Sequence, residues 1–276
     1  MRKIKYPLIV SDFDGTLGNG DSTVSLQNKK AIEGYIANGG KFALSTGRLP
    51  YGSLHIAKGL RLKGPLACGQ GSVVVDIESG RPLFSSAIDC ETTVSICEKM
   101  EELGLHIHVY DLWEYYSNMD DMPLKMYEKA VGTKANLVLD KPISQFVKER
   151  GLGAVKVLAM VEPENAEKVI ETLSKMAFKG CTVVKSAAFL VEVANVSYSK
   201  GTALKLLAEH YGVPLEKTIA IGDQRNDIPM IEAAGLGFAV KNADEELKKV
   251  ALVCEYTNEE SAVAKIIEQY AYTEEK

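Results

Sequence analysis

Two rhythms of apolar and polar positions run along this chain, and the change from one to the other divides it. Residues 7–11, within "YPLIVS", are apolar without alternation, the pattern of a strand covered on both faces in a parallel sheet. In "SLQNKKAIEGYIANGG", Leu26, Ala31, Ile32, Tyr35 and Ile36 fall at helical spacing, and Gly39-Gly40 end the predicted helix. "KFALSTGR" predicts a second strand, "YGSLHIAKGLRL" a second helix and "PLACGQG" a third strand. Strand-helix-strand-helix-strand in this order predicts a right-handed, parallel, helix-covered sheet.

After residue 70 the rhythm changes. "SVVVDIESGRPLFSS" predicts a hairpin turning near Ser79-Gly80, "DCETTVSICEKMEELG" a helix and "LHIHVYDLWEYYS" an antiparallel strand pair. "AVKVLAMVEPENAEKVIETLSKM" predicts a strand and then a helix with Val169, Ile170, Leu173 and Met176 on one face; "CTVVKSAAFLVEVAN" predicts another hairpin. The parallel rhythm resumes with "SKGTALKLLAEHYGV" and "KTIAIGDQRNDIPMIEAAG", and a further strand and helix follow in "LGFAVKNADEELKKVA". The expected fold is therefore α/β: a doubly wound, Rossmann-like core of residues 1–83 and 194–276, interrupted by an α/β domain of residues 84–193. The tail "YTEEK" is expected to fray.

Length and composition agree with two domains, or one large one, of an ordinary globular protein: 276 residues, 46% hydrophobic and 25% charged. A net charge of −5 gives no basic footprint for nucleic acid or an anionic membrane. Five cysteines without CxxC or zinc spacing read as free thiols in a reducing compartment. The basic start followed by apolar residues resembles a signal peptide, but the apolar run stops at Asp12, and no segment reaches membrane-spanning length. A cytoplasmic protein is expected; its oligomeric state is not legible.

Ligands of a parallel α/β sheet bind beyond the carboxyl ends of its strands. Asp12 and Asp14 stand at the end of the first strand, Thr46, Gly47 and Arg48 at the end of the second, and Asp223, Asn226 and Asp227 after "TIAI". Lys200 opens the helix before that strand. Each piece alone has a bland reading: a D-x-D is a turn or helix cap, "TGR" closes a strand, and Lys200 is a solvated lysine. Together they bring four acids, a hydroxyl and an amide to one rim. Carboxylates so crowded need a counter-charge, and Mg2+ suits few carboxylates completed by waters and phosphate oxygens.

The order "DFDGT", "STGR", "SKGTAL", "GDQRND" resembles the haloacid dehalogenase superfamily, specifically its Cof-type phosphatases with a class IIB cap, over almost the whole chain. The resemblance implies a Mg2+-dependent phosphohydrolase of small phosphomonoesters, sugar phosphates or nucleotide-like cofactors, acting through an aspartyl phosphate. It implies Asp12 as nucleophile and Asp14 as general acid/base. It implies Phe13, Thr46, Gly47, Arg48, Lys200 and Asn226 around phosphate or substrate. For the metal it implies Asp12, Asp223, the Asp14 carbonyl, and Asp227 as the acid supporting a metal water or Lys200. The inserted domain becomes a cap that sets specificity. Two departures stand near the entrance: a glycine-rich "GNGD" after "DFDGTL", and "GQGS" at 69–72, with Gln70 where the family often has an asparagine-glycine pair.

A phosphomutase or phosphotransferase using the same intermediate remains open, and so does a catalytically silent binding protein on the same fold. Such a silent protein should lack a reactive acid or the phosphate lysine, and none is missing here. His106 and His108 alternate on one side of a strand and are read as exposed surface rather than as ligands. Trp113, Tyr110, Tyr115 and Tyr116 are read as domain core and sheet surface, and Cys90 and Cys97 as packing residues.

Overall fold

The computed structural model describes residues 2–273. The chain begins with β1 (Leu8–Ser11), α1 (Leu26–Ala37), β2 (Lys41–Leu44), α2 (Pro50–Gly59), β3 (Pro65–Cys68), β4 (Val73–Asp76) and β5 (Pro82–Ser85). It continues through α3 (Cys90–Glu102), β6 (His106–Tyr110), β7 (Tyr115–Ser117), α4 (Met122–Val131), β8 (Asn136–Leu137) and α5 (Ile143–Arg150). β9 (Lys156–Met160), α6 (Ala166–Ser174), β10 (Cys181–Ala187) and β11 (Leu190–Asn195) follow. Last come α7 (Lys200–Tyr211), β12 (Thr218–Gly222), α8 (Ile228–Ala233), β13 (Leu236–Ala239), α9 (Glu245–Lys248), β14 (Leu252–Val253) and α10 (Ala262–Tyr270). Among the described residues, one compact unit holds everything up to Arg48, Ser53–Phe84 and Tyr198 onward; the other holds Leu49–Gly52 and Ser85–Ser197. No helix among them is long and apolar enough to cross a membrane.

The first unit is built on a five-stranded parallel sheet in the order β14-β13-β12-β1-β2. From β1 the chain steps one way to β2; from β12 it steps the other way to β13 and β14. The strand order therefore reverses between β1 and β12, the switch point where a doubly wound sheet opens a crevice at its strand ends. β1 and β12 are buried along their whole length, as an apolar run without alternation requires.

Two expectations need correction here. β3 joins the parallel sheet only through one Ser45–Ala67 bridge; its own ladder is antiparallel to β4, in a separate β3-β4-β5 sheet. Gly69, Gln70 and Gly71 all have positive φ (56°, 60° and 95°) and turn the chain back within three residues, too few for the crossover that a parallel partner needs. In α1 the buried residues are Asn28, Ile32 and Tyr35, while Leu26 and Ile36 are exposed. Asn28 is drawn inside because it accepts the Ala264 N–H at 2.9 Å, and the Tyr35 hydroxyl donates to the Tyr6 carbonyl at 2.5 Å.

The second unit carries a six-stranded sheet, β10-β11-β9-β6-β7-β8, antiparallel except for β7-β8. Side chains alternate across it. Ile107, Val109, Val157, Ala159, Val191 and Val193 face a core completed by α3, α5 and α6. Its other face carries Tyr110, Tyr115, Leu158 and Leu190, against Leu124 of α4. His106 and His108 lie on this face and are buried, at 6% and 0% exposure, contrary to the surface expectation. The reason is α4, for which the sequence gives no prediction: it buries Leu124 and packs the half-buried Tyr127 against this face, while Met122 and Met126 are exposed. Of the expected α6 face, Val169 and Leu173 are buried, whereas Met176 lies past the helix end and is exposed.

The insertion leaves and returns at one place. Phe84 and Tyr198 meet as a tilted ring pair with centroids 5.0 Å apart in the first unit, and Asn195 Nδ2 donates to Ser86 Oγ at 2.8 Å in the second. Tyr272, where fraying was expected, pairs with Ile4 in an isolated bridge; residues 274–276 of that tail lie outside the described residues.

Candidate active site

The β1–β12 ladder runs one residue past β1, the Asp12 N–H donating to the Ile221 carbonyl at 2.9 Å. Asp12 is thereby fixed by its main chain at the switch point, with 4% of it exposed. One residue past β12 stands Asp223, equally buried. Its Oδ1 accepts from Thr16 Oγ1 at 2.8 Å and its Oδ2 from Gln224 Nε2 at 3.0 Å. The turn carrying Thr16 depends on Gly15, at φ +74°: a Cβ there would sit 2.4 Å from Asp223 Oδ2.

Lys200 is the first residue of α7, whose N-cap Ser199 forms a capping box with Thr202. At 1% exposure its ammonium bridges Asp12 Oδ1 at 2.8 Å and Asp227 Oδ1 at 2.6 Å. Gly201 lets α7 approach this closely; a Cβ would meet the Pro229 carbonyl oxygen at 2.5 Å. The other oxygen of Asp227, Oδ2, accepts the N–H groups of Asp223 and Gln224, both at 2.9 Å. Both Asp227 oxygens are thus engaged, which makes it a brace for Lys200 and the Asp223 loop.

Oxygens of Asp12, Asp223 and Asp227 lie within 4.8 Å of one another. Three buried carboxylates against one ammonium leave the cluster short of positive charge. Burial, with Asp227 and Asp223 nearby, pushes the Asp12 carboxyl well above the usual range against the pull of Lys200. Burial also raises Asp223. Burial alone would lower Lys200, but Asp12 and Asp227 outweigh it and hold the ammonium above its ordinary value. An all-oxygen, electron-rich, desolvated donor set of this kind fits a hard divalent cation.

Asp14 stands outside that cluster. Its carboxylate, about half exposed, takes two hydrogen bonds from Arg48: Nε to Oδ2 at 2.8 Å and Nη2 to Oδ1 at 2.5 Å. Toward a cation it can offer its carbonyl, as the resemblance implied. Arg48 also donates to Ser22 Oγ at 2.9 Å and lies over the Phe13 ring, its guanidinium carbon 5.1 Å from the centroid. Arg48 was expected beside phosphate or substrate; here it is committed to Asp14. Phe13 is buried with its ring against Gly18, so only its main chain can face a ligand.

Thr46, at 1% exposure, donates its N–H to the Ala67 carbonyl at 3.0 Å, and its Oγ1 accepts the Arg48 N–H at 3.1 Å. Gly47 leaves room for Gln70, whose Nε2 would lie 2.5 Å from a Cβ there. Gln70 also receives the Asn226 side-chain amide on its Oε1 at 2.9 Å and donates its N–H to the Thr46 carbonyl at 3.2 Å. The structure therefore joins Thr46, Gly47, Gln70 and Asn226 along one rim.

Sequence reasoning missed Thr16, the Gln70–Asn226 bridge, and Asn242, whose Nδ2 donates to the Gly15 carbonyl at 2.8 Å. Thr16 had a signal in its place inside "DFDGT". Asn242 lies 227 residues from its partner and had none.

Comparison with known proteins finds relatives over nearly the whole chain. The family profile of haloacid dehalogenase-like hydrolases matches residues 9–267. A Haemophilus influenzae protein is 32% identical over 273 residues, covering 96% of this chain and 98% of its own. Phosphatase YwpJ of Bacillus subtilis is 30% identical over 278 residues, covering 93% and 97%. The 5-amino-6-(5-phospho-D-ribitylamino)uracil phosphatase YitU of the same organism is 25% identical over 269 residues, covering 95% and 97%. Among solved structures, TM0651 from Thermotoga maritima superposes with a TM-score of 0.88 at 27% identity, covering 97% of this chain and 98% of that one.

Proposed function

This chain belongs to the haloacid dehalogenase-like hydrolases of Cof type and is a phosphatase, and from that premise we propose that it hydrolyses small phosphomonoesters with Mg2+ through an aspartyl phosphate on Asp12. An Asp12 oxygen bonds to phosphorus as the ester oxygen departs, and Asp14 gives that oxygen a proton. Water then attacks the aspartyl phosphate, Asp14 takes its proton, and orthophosphate leaves with Asp12 restored. Lys200 offsets charge on the transferring group, while Thr46 and the Gly47 main chain receive its oxygens. When bound by Asp12, Asp223 and the Asp14 carbonyl, Mg2+ supplies neutralisation of the phosphoryl charge.

The observation that carries this reading is Lys200 buried between Asp12 and Asp227, with Asp223 in the same cluster, at the reversal of strand order. The second unit, inserted between β5 and α7, is assigned the role of a cap that selects the leaving group. YitU, named for a uracil carrying a phosphoribityl chain, supports the nucleotide-like half of the expected substrate class. Five free thiols favour the cytoplasm. The test is release of orthophosphate from a panel of phosphorylated metabolites, with MgCl2 and with EDTA. Wild type should lose turnover in EDTA, and Asp12→Asn should lose it in both while keeping the wild-type circular dichroism spectrum. Undiminished release by Asp12→Asn would refute the assignment of the nucleophile.

A further inference from the structure

The second unit contains a pocket of about 650 Å³ that the phosphatase chemistry does not use. It lies where β6 begins and β9 ends, at the His106–Met160 pairing. The chain enters and leaves the unit at the opposite end of the sheet, where Ile88 bridges Ala154 and Asn195 meets Ser86. Every residue lining the pocket belongs to the second unit. Its size falls within the ~300–1,000 Å³ of small-molecule sites and is roughly four times the ~150 Å³ cavity that holds benzene.

The walls specify a ligand chemistry. Met119, Met126 and Met160 present flexible thioethers, which adapt to and favour aromatic rings, and Phe189 adds an aromatic wall. Asp121 and Glu162 bring two carboxylates, and no lysine or arginine lines the pocket among the described residues. Asp121 Oδ1 caps α4 by accepting the Leu124 N–H at 2.9 Å, while Oδ2 stands 3.1 Å from His106 Nδ1. His106 is 6% exposed, and this Nδ1 faces the Asp121 carboxylate. Its Nε2 is already taken, 2.9 Å from Ser117 Oγ and 3.1 Å from His108 Nε2. Burial holds His106 below an ordinary histidine and pushes His108 down to about 3, so the imidazoles add no positive charge near neutral pH.

We infer that this pocket binds a small aromatic amine, its ring among the methionines and Phe189 and its ammonium on Asp121 and Glu162. An anion of the same shape would meet two carboxylates and no cation, so charge decides the occupant. The inference stands apart from the phosphatase reading, and its test does not measure turnover. The full chain, labelled with 13C-methyl methionine, is titrated with tryptamine and with indole-3-propionate, which differ in the charge at the end of the side chain. Tryptamine should move the Met126 and Met160 methyl signals, with indole-3-propionate at least about tenfold weaker. Asp121→Asn, which keeps a competent N-cap, combined with Glu162→Gln should abolish that preference. Equal binding of the two probes, unmoved methionine signals at 10 mM tryptamine (an order-of-magnitude ceiling for a specific site), or a preference surviving the double substitution would overturn the inference. So would concentration-dependent Met126 shifts without any probe, which would give the pocket to a second copy of the chain.

Discussion

Arg48 grips Asp14 by a two-pronged contact, Nε to Oδ2 at 2.8 Å and Nη2 to Oδ1 at 2.5 Å, and steadies itself on Ser22 at 2.9 Å. The fork fixes the direction of the carboxylate that we propose as acid and base. A lysine keeps the charge but cannot make the paired contact. Charge-assisted hydrogen bonds are worth about 1.5–3 kcal/mol, so Arg48→Lys should lower kcat/KM by roughly tenfold to a hundredfold. Arg48→Ala should fall further and recover in part when guanidinium is added to the steady-state assay; absence of any recovery would count against an orienting role.

Lys200 and Asp227 form a buried pair that should be more sensitive to losing one member than both. Lys200→Met leaves Asp12 and Asp227 facing each other without their shared cation, which should cost about 3–5 kcal/mol. Adding Asp227→Asn should return at least about 1 kcal/mol of that loss. Urea unfolding of the two single variants and the double variant measures the coupling.

Gly15→Ala tests the geometry of the acidic cluster. The new methyl group would meet Asp223 at 2.4 Å, in a backbone conformation that alanine resists. Asp223 must shift, so the Mg2+ concentration for half-maximal activity should rise by about tenfold or more. A metal titration of the phosphatase assay reads this directly.

His108 makes the second unit acid-sensitive. Its folded value is depressed to about 3, so the unfolded chain takes up a proton near pH 6.5 that the folded chain refuses. Its contribution to stability is intact above pH 6.5 and is lost as pH falls from there toward 3, by about 2–3 kcal/mol at pH 4.5. Trp113 is the only tryptophan and lies in the second unit, so its fluorescence reports that unfolding. His108→Asn should flatten the dependence of the denaturation midpoint on pH between 7 and 4.5.

Legibility in the sequence followed locality. The parallel core announced itself because its strands are buried on both faces and its helices carry clear stops; its strand ends carried the acids, and the helix after the insertion opened on Lys200. The antiparallel partner of β3 was hidden because three consecutive positive-φ residues, Gln70 among them, reverse the chain directly after the strand. The burial of His106 and His108 was hidden for a different reason. It depends on α4, whose exposed methionines conceal the single leucine that anchors it. Pairings such as Arg48 with Asp14 or Asn226 with Gln70 join loops distant in sequence, and no spacing rule reaches them.

The contact of Phe84 with Tyr198, ring centroids 5.0 Å apart, has an evolutionary reading. The residues between them form a detour whose two ends already touch, and no strand of the five-stranded parallel sheet is drawn from it. A lineage could exchange that detour for a longer, shorter or unrelated one without renegotiating a single strand pairing around Asp12. Catalysis and selectivity could then diversify at different speeds within one gene.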